Sequence, residues 1–231
     1  MVAIAVIPLS LYYDRVERQL SPLVMSQVGG TAVKGSAESL KYQLMPLGAA
    51  EWLLYPNGIK SVGGNVRLRG NNHDLTFKLD HINRQRAVIE RIRGYVNWDL
   101  LKPFLQIRYG QLEGHLGFDM SRVRFEKETG LKGASGSITL KDFKMIKPTA
   151  KDMGTVTIDF ETQQEGMVLG KISSDSQVMN VSGTLFIQPK RWKLSLDIIP
   201  KAGHFEIDSI ISTVGQARRG GGRRLNLAGF Y

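Results

Sequence analysis

Gly136-Ser-Ile138-Thr-Leu140 is one of six copies of the pattern that decides the fold: a glycine with apolar side chains at the second and fourth positions after it. Side chains of a β-strand alternate between its two faces, so each copy places two apolar residues on the same face. The residue between them is polar or small in five of the six copies. The glycines that open the copies are Gly64, Gly94, Gly114, Gly136, Gly154 and Gly183. We therefore expect a series of similar antiparallel strands, each beginning at a glycine that suits a bend or a close backbone approach.

A sheet with one apolar face has to cover that face. It closes as a barrel, packs on a second sheet, or curls into a groove that holds something apolar. The sequence thus predicts an all-β fold with a long, twisted, mostly antiparallel sheet, either a curled groove or sandwich-like. We expect a few short helices, at residues 15–23, 46–52 and 100–104. Residues 84–94 fit either a basic helix or a strand with a bulge between Ile89 and Ile92.

The amino-acid composition excludes several kinds of site and indicates what kind of surface the protein would bind. The chain has 231 residues, 42% of them apolar, which is enough for a real core in one all-β domain or two small domains. No convincing linker interrupts it. A formal net charge of +10 indicates attraction to anionic surfaces: phospholipid, lipopolysaccharide phosphate, acidic protein or nucleic acid. With no cysteine, the sequence excludes disulfides, thiolate metal sites and a cysteine nucleophile.

The amino terminus is a separate apolar segment. Residues 2–13 read VAIAVIPLSLYY, which is shorter than the roughly 20 residues of a spanning helix and does not have the pattern of a signal peptide. We interpret residues 1–20 as the remnant of a membrane anchor and residues 21–231 as a single β-rich domain. The alternative is a buried first strand or short helix.

The chain contains no recognisable catalytic motif. It has neither a Gly-x-Ser-x-Gly elbow nor an HExxH pair, and residues 166–171, GMVLGK, read better as a strand than as a phosphate-binding loop. The four histidines are scattered, although His73 and His81 could approach each other. We expect no enzymatic activity, no catalytic residue, no cofactor and no metal site.

Arginines form the main charged features. Arg218, Arg219, Arg223 and Arg224 surround three glycines, an arrangement that either grips phosphates or forms a mobile hairpin loop. Arg67 and Arg69 alternate with apolar residues of the first glycine phrase. We select these six arginines as candidate contacts for an anionic headgroup or a partner. A second basic set, Arg84, Arg86, Arg91 and Arg93, could face the same surface.

Several segments, taken in order, resemble the N protein of bacterial type II secretion systems, also called general secretion pathway protein N. The most specific are Gly29-Gly30-Thr31 with Gly35, Leu44-x-Pro46, the block 181–200 and the closing Leu227-Ala-Gly229. The resemblance covers nearly the whole chain after residue 20 and depends on the order and spacing of these segments. The family is expected to carry a complete N-terminal transmembrane helix, whereas the apolar segment here is short.

The resemblance implies a non-enzymatic accessory component, anchored in the bacterial inner membrane, with most of its chain in the periplasm. Its implied partners are other secretion subunits and the inner membrane. An alternative hypothesis is a lipid-binding β-groove, similar in fold to AsmA-like envelope proteins, with phospholipid as its ligand. A second alternative is a basic nucleic-acid-binding β domain, but the aromatic stacking platform expected of one is missing. We therefore expect neither nucleic acid nor a small-molecule substrate as a partner.

Overall fold

The computed structural model describes residues 7–11, 13, 17, 21–43, 45–58, 60–101, 111–147, 150–204, 207, 208, 211, 212 and 215–230. Within them the chain is nearly all strand, as the glycine pattern predicts. A single-turn helix α1 (Trp98–Leu101) follows the seventh strand, and a 3-10 turn covers Leu9–Leu11. The strands are β1 (Leu23–Gly30), β2 (Lys34–Tyr42), β3 (Met45–Pro46), β4 (Ala49–Pro56), β5 (Val62–Gly70), β6 (His73–Ile82), β7 (Arg86–Asn97), β8 (Gln111–Glu126), β9 (Gly130–Lys147), β10 (Lys151–Gln164), β11 (Met167–Asp175), β12 (Met179–Gln188), β13 (Arg191–Pro200), β14 (Gln216–Ala217) and β15 (Arg223–Phe230).

The strands form one 15-stranded sheet in which almost every strand pairs with its neighbour in sequence. There are two departures: β3 pairs only with β2, and β14 lies outside β15. Every pair is antiparallel. In the described part of the chain β1 is one edge, and β15 with the short β14 is the other, so the sheet is open. The expected all-β, antiparallel architecture is confirmed.

The strand registers line up apolar residues from one edge of the sheet to the other. A first row of directly opposed residues crosses thirteen strands, and a second row lies two residues away on the same face, which we call the inner face. The first row is Val28, Ala37, Ala50, Leu68, Leu75, Gly94, Phe118, Ile138, Ile158, Ile172, Gly183, Leu196 and Leu225. The second row is Gly30, Gly35, Trp52, Val66, Phe77, Ile92, Met120, Gly136, Phe160, Gly170, Leu185, Leu194 and Leu227.

The row between these two belongs to the outer face and contains no large apolar side chain. It runs through Gly29, Ser36, Glu51, Arg67, Thr76, Arg93, Asp119, Ser137, Asp159, Lys171, Thr184, Ser195 and Asn226. A shift of one residue in any pair would exchange the two faces from that strand onward. The hydrophobic pattern therefore fixes the register of the whole sheet.

The glycines of the repeated phrase lie inside the strands, so the prediction that strands begin at them is wrong. Gly64, for example, is the third residue of β5, and Gly136 is the seventh of β9. Both have positive φ, 150° and 120°, and adjoin register shifts. A Cβ at Gly136 would lie 2.5 Å from the Cα of Met120 on the neighbouring strand. These glycines therefore mark bends and close strand approaches within long strands.

The sequence predicts two strands in each of two regions, 112–120 with 122–125 and 134–140 with 143–146. Each region is a single long strand in the structure. Residues 112–120 and 122–125 both belong to the 16-residue β8, and residues 134–140 and 143–146 both belong to the 18-residue β9. At each break an irregular residue interrupts the ladder, and in β9 this is Asp142 with φ of 50°. A bulge bends a strand without ending it. For residues 84–94 the strand interpretation is confirmed, because β7 has an extra residue, Glu90, between Ile89 and Arg91 relative to β6.

The core lies where the sheet curls most strongly. Some Cα atoms of β9 and β12 approach within 8 Å, whereas strands three positions apart in a flat sheet lie about 14 Å apart. Under this curl a cluster of buried side chains joins β9 to β12, and Ile207 and Ile211 pack into it from the segment that follows β13. The rest of the cluster is Met145, Met153, Ile172, Val178, Met179 and Val181. A smaller cluster contains Met120, Ala134 and Val168.

The helix expected at residues 46–52 is wrong, since Pro46 ends β3 and residues 49–52 begin β4. Of the helix expected at residues 100–104, residues 100 and 101 form the end of α1, and the remainder lies outside the described residues. The helix expected at 15–23 also lies largely outside them. Of the amino-terminal segment, Leu9 and Tyr13 are buried, and the Tyr13 hydroxyl accepts a hydrogen bond from the Met25 N–H at 2.7 Å. Among the described residues, no helix has the length and apolar character needed to cross a membrane.

Candidate interaction surfaces

The inner face is apolar but only partly covered. Leu68, Phe118, Ile138, Ile158 and Leu196, all from the first row, are neither fully buried nor fully exposed. Burial is complete mainly around the two core clusters. The described residues thus leave a continuous strip of half-exposed apolar side chains, which is the property required of a surface that binds an apolar ligand or partner.

Arg67 and Arg69 are brought together by β5, but on the opposite face from this strip. They alternate with the inner-face residues Val66 and Leu68 and turn outward to Asp74 on β6. Arg67 makes a two-pronged ion pair with Asp74, at 2.6 Å from Nη2 and 3.0 Å from Nε, and Arg69 lies at 3.8 Å. Hydrogen bonding from Arg67 is the main cause that lowers the pKa of Asp74 below its usual value.

The other four candidate arginines surround the turn between β14 and β15. Arg224 pairs with Asp197 on β13 through two contacts of 2.6 Å, and Arg218 lies 3.4 Å from the same carboxylate. Hydrogen bonding from Arg224 is the first cause that lowers the pKa of Asp197, and the charge of Arg218 adds to it. Arg223 donates to the backbone carbonyls of Ser212 and Gly215. Arg219 is exposed at the tip of the turn.

The two arginine groups do not form one site. β5 and β15 are separated by nine strand spacings in the sheet order, a path on the order of 40 Å along the sheet. Each group is organised by an aspartate that sequence reasoning missed, Asp74 in one and Asp197 in the other. Both aspartates stand at outer-face positions, but their arginine partners depend on strand register, which the sequence does not show.

The remaining charged and polar candidates are dispersed. His73 and His81 lie near opposite ends of β6 and do not approach each other; His73 is 3% exposed, and its Nε2 is 2.9 Å from the Leu47 carbonyl. In the second basic set, Arg86 pairs with Glu126 and Arg93 with Asp119, both at 3.1 Å on the outer face. Within the described residues no group of three histidines, aspartates or glutamates is arranged to hold a metal ion.

The two edges of the sheet differ. At the amino-terminal edge, the Met25 N–H is occupied by Tyr13, and Pro8 forms a bridge with Thr31 just beyond β1. At the other edge, β14 covers only Arg223 and Arg224 of β15. Residues 225–230 are paired with β13 alone. This half of β15 is the longest stretch of single-sided strand at that edge in the described structure.

Comparison of the sequence with known protein families identifies the family of this chain. The sequence profile of the family described as type II secretion system (T2SS), protein N, matches residues 21–226, which span β1 through the first half of β15. Searches among curated proteins and among solved structures found no match. The profile covers all of the strands that build the two faces except the last four residues of β15, in agreement with the resemblance seen in the sequence. The chain belongs to the protein N family of the type II secretion system.

Proposed function

We propose that this protein is a non-enzymatic accessory component of a type II secretion machine that acts by binding other subunits of that machine. The observation that carries the proposal is the family match over residues 21–226. The open sheet supports it, because an uncovered strand edge and a half-exposed apolar face are surfaces that proteins use to bind one another. Several charged side chains form ion pairs with one another on the outer face, such as Arg67 with Asp74.

We further propose that residues 21–231 form one periplasmic domain and that residues 1–20 are the remnant of an inner-membrane anchor. The apolar run at residues 2–13 supports the anchor, and the family supports an envelope location. Fractionation of cells that carry the chromosomal gene tests this. The protein should sediment with inner membranes, and protease added to spheroplasts should digest it. Recovery in the cytoplasm, protected from the protease, would contradict the location.

The secretion role is tested by deleting the gene and measuring an exported enzyme in the medium and in the periplasm. Loss of the protein should shift enzyme from the medium to the periplasm, and the full-length chain supplied from a plasmid should restore export. A deletion strain that exports at the parental rate under every growth condition would refute the role.

A second candidate function is lipid binding, which the inner face favours. Its two apolar rows run without a polar side chain across thirteen strands and stay half-exposed over much of their length. Acyl chains could fill such a strip. Arg67 and Arg69 point to the outer face, so they cannot hold the headgroup of a lipid bound to the inner face. Arg223, which pairs with Ile198, is at an inner-face position.

Native mass spectrometry of the detergent-free protein separates the two functions. A copurified phospholipid that is lost in the variant Ile138→Glu would favour lipid binding, since this side chain lies in the middle of the inner face. The matched variant Ser137→Glu, on the outer face, should keep the lipid. If both wild type and Ser137→Glu have the mass of the polypeptide alone, a stable lipid complex is excluded.

A further inference from the structure

The outer edge of β15 carries backbone groups that point away from the sheet. In the turn before it, the Arg218 N–H donates to the Gly222 carbonyl at 3.1 Å and the Gly221 N–H donates to the Arg218 carbonyl at 3.2 Å. Arg218 and Gly222 are therefore a hydrogen-bonded pair of the β14–β15 hairpin. Because such pairs alternate along an antiparallel ladder, the same orientation recurs at every second residue. The N–H and C=O groups of Asn226, Ala228 and Phe230 consequently face outward, beyond the end of β14.

Beyond Leu225, no described residue gives this edge the usual protection against strand addition. Natural sheets guard their edges with charges, prolines, bulges or a covering segment. Residues 225–230 read LNLAGF, with no charge and no proline, and their register with β13 is unbroken. By contrast, the edge strand β1 contains Gln27, whose backbone is left-handed with a φ of 52°. The Met25 N–H of β1 also donates a hydrogen bond to the Tyr13 hydroxyl.

Exposed apolar side chains line the unprotected edge. Leu227, at the end of the second inner-face row, is 44% exposed, and Phe230 is 87% exposed. An additional strand paired with β15 would place every second side chain beside Leu225, Leu227 and Gly229 and continue the inner face. The strand that fits here has apolar residues at alternate positions and no charge in its paired part.

Charge sets the end of the added strand at which acidic residues are favourable. Arg218, Arg219, Arg223 and Arg224 lie together at the start of β15, and Asp197 pairs with Arg218 and Arg224. This end of the edge is therefore positively charged. If the added strand is antiparallel to β15, its carboxyl-terminal end lies beside the arginines. If it is parallel, its amino-terminal end lies there. Every described strand pair of this sheet is antiparallel, as are both pairs of β15, and antiparallel pairing is slightly the more stable. An antiparallel strand followed by acidic residues therefore fits the site.

We propose that the outer edge of β15 receives an extended segment of another secretion subunit, which adds as an antiparallel strand of alternating apolar residues followed by acidic residues. That the donor is a secretion subunit rests on the function proposed above. The edge chemistry itself depends only on the sheet.

The test is to titrate the full chain with two synthetic peptides that share a core of alternating valine and threonine. In the first peptide two glutamates follow the core, and in the second two glutamates precede it. Binding should protect the N–H groups of Asn226, Ala228 and Phe230 from exchange, as followed by NMR, with little change at Leu227 and Gly229. The peptide that ends in glutamates should bind about three- to tenfold more tightly, the effect of one or two exposed ion pairs. Equal affinity, or a preference for the other peptide, would overturn the antiparallel direction.

Variants test the edge directly. Ala228→Pro removes one outward N–H and places a ring in the path of the added strand, so we expect about tenfold weaker binding. The control Ala228→Ser should bind like wild type. Since a proline could also perturb folding, Arg219→Glu gives an independent test at an exposed turn position. It should remove the preference for the peptide that ends in glutamates and leave the thermal midpoint unchanged.

The outcomes separate this inference from the proposed function. If neither peptide protects the β15 amides while gene deletion still blocks export, the edge inference is overturned and the secretion role stands. If the peptides bind as described while deletion has no effect on export, the edge chemistry stands and the secretion role fails. If the free protein dimerises through β15 and the dimer excludes both peptides, a second copy occupies the edge and the proposed partner is wrong.

Discussion

Single glycines decide where the strands bend. Gly136 combines a φ of 120° with a neighbouring strand so close that a Cβ would lie 2.5 Å from the Met120 Cα. At Gly117, in contrast, a Cβ would lie 3.7 Å from its nearest neighbour, the Thr139 carbonyl oxygen, and the φ of this glycine is not positive. The two glycines lie on adjacent strands, so they form a matched pair of sites.

Gly136→Ala should lower the free energy of unfolding by about 1–3 kcal/mol, the cost of holding an L-residue in this backbone conformation with the added contact. Gly117→Ala should change it by less than about 0.5 kcal/mol. Urea denaturation followed by tryptophan fluorescence measures both. Equal effects of the two substitutions would show that the positive φ at Gly136 does not matter.

Asp197 makes part of the stability depend on pH. Its pKa is lowered in the folded protein by Arg224 and Arg218, so its contribution is present above the ordinary aspartate pKa of about 3.9 and is lost as the pH falls through the lowered value. Asp197→Asn should therefore be less stable than wild type at pH 7, and the difference should shrink to zero in acid.

The measurement is the urea midpoint of both proteins across this range. Asp175→Asn serves as the control, because Asp175 is exposed and forms no ion pair with another of the described residues. A difference between wild type and Asp197→Asn that stayed constant down to the lowest pH would argue that the asparagine acts through packing rather than through charge.

At the level of the strand, the alternation of side chains explains both faces. Ile158 is flanked by Ile138 and Ile172 on the inner face, and Thr184 by Lys171 and Ser195 on the outer face. Ile158→Asp should destabilise the protein by at least about 2 kcal/mol, since it puts an unpaired charge among apolar side chains. Thr184→Asp should stay within about 0.5 kcal/mol of wild type. Similar losses in the two variants would mean that the faces are wrongly assigned.

The same alternation explains how much of the fold could be predicted from the sequence. It identified the inner-face residues of β8, β9, β10 and β12, because period-two patterning is a local property of a strand. It divided β8 and β9 into shorter pieces and placed glycines at strand starts, because a bulge and a turn have the same local signature. The helix predicted at 46–52 failed because the spacing of Leu47, Glu51 and Leu54 could not reveal the pairing of β4 with β5.

The candidate site was predicted less completely, since it depends on contacts between strands. The basic residues of the turn at 218–224 stand out in the sequence, but Asp197 is about 20 residues away along the chain and is identified only by the pairing of β13 with β15. The unprotected edge of β15 likewise follows from sheet order. In the sequence, LNLAGF looks like any interior strand.

Across the whole molecule, burial is uneven. Both core clusters are built on strands β7 to β13, with Ile207 and Ile211 added from the segment after β13, while the β1–β4 end contributes few buried apolar side chains, among them Ala37, Leu40 and Ala50. Because each strand contacts mainly its sequence neighbours, local stability should follow local burial. Amide exchange should be slowest at Val168, Ile172 and Val181 and at least about tenfold faster in β2 and β4. Uniform protection along the sheet would indicate a single cooperative unit.

The nearest-neighbour order of the strands also makes the protein adjustable in length. Removing or duplicating one hairpin outside the core clusters, such as β5 with β6, shifts later strands by an even number of positions, so chain direction and the identity of each face are preserved. Each added hairpin would widen the sheet by about 10 Å without altering the contacts on either side. Relatives could thus span different distances with the same construction, and their sizes would change in steps of two strands.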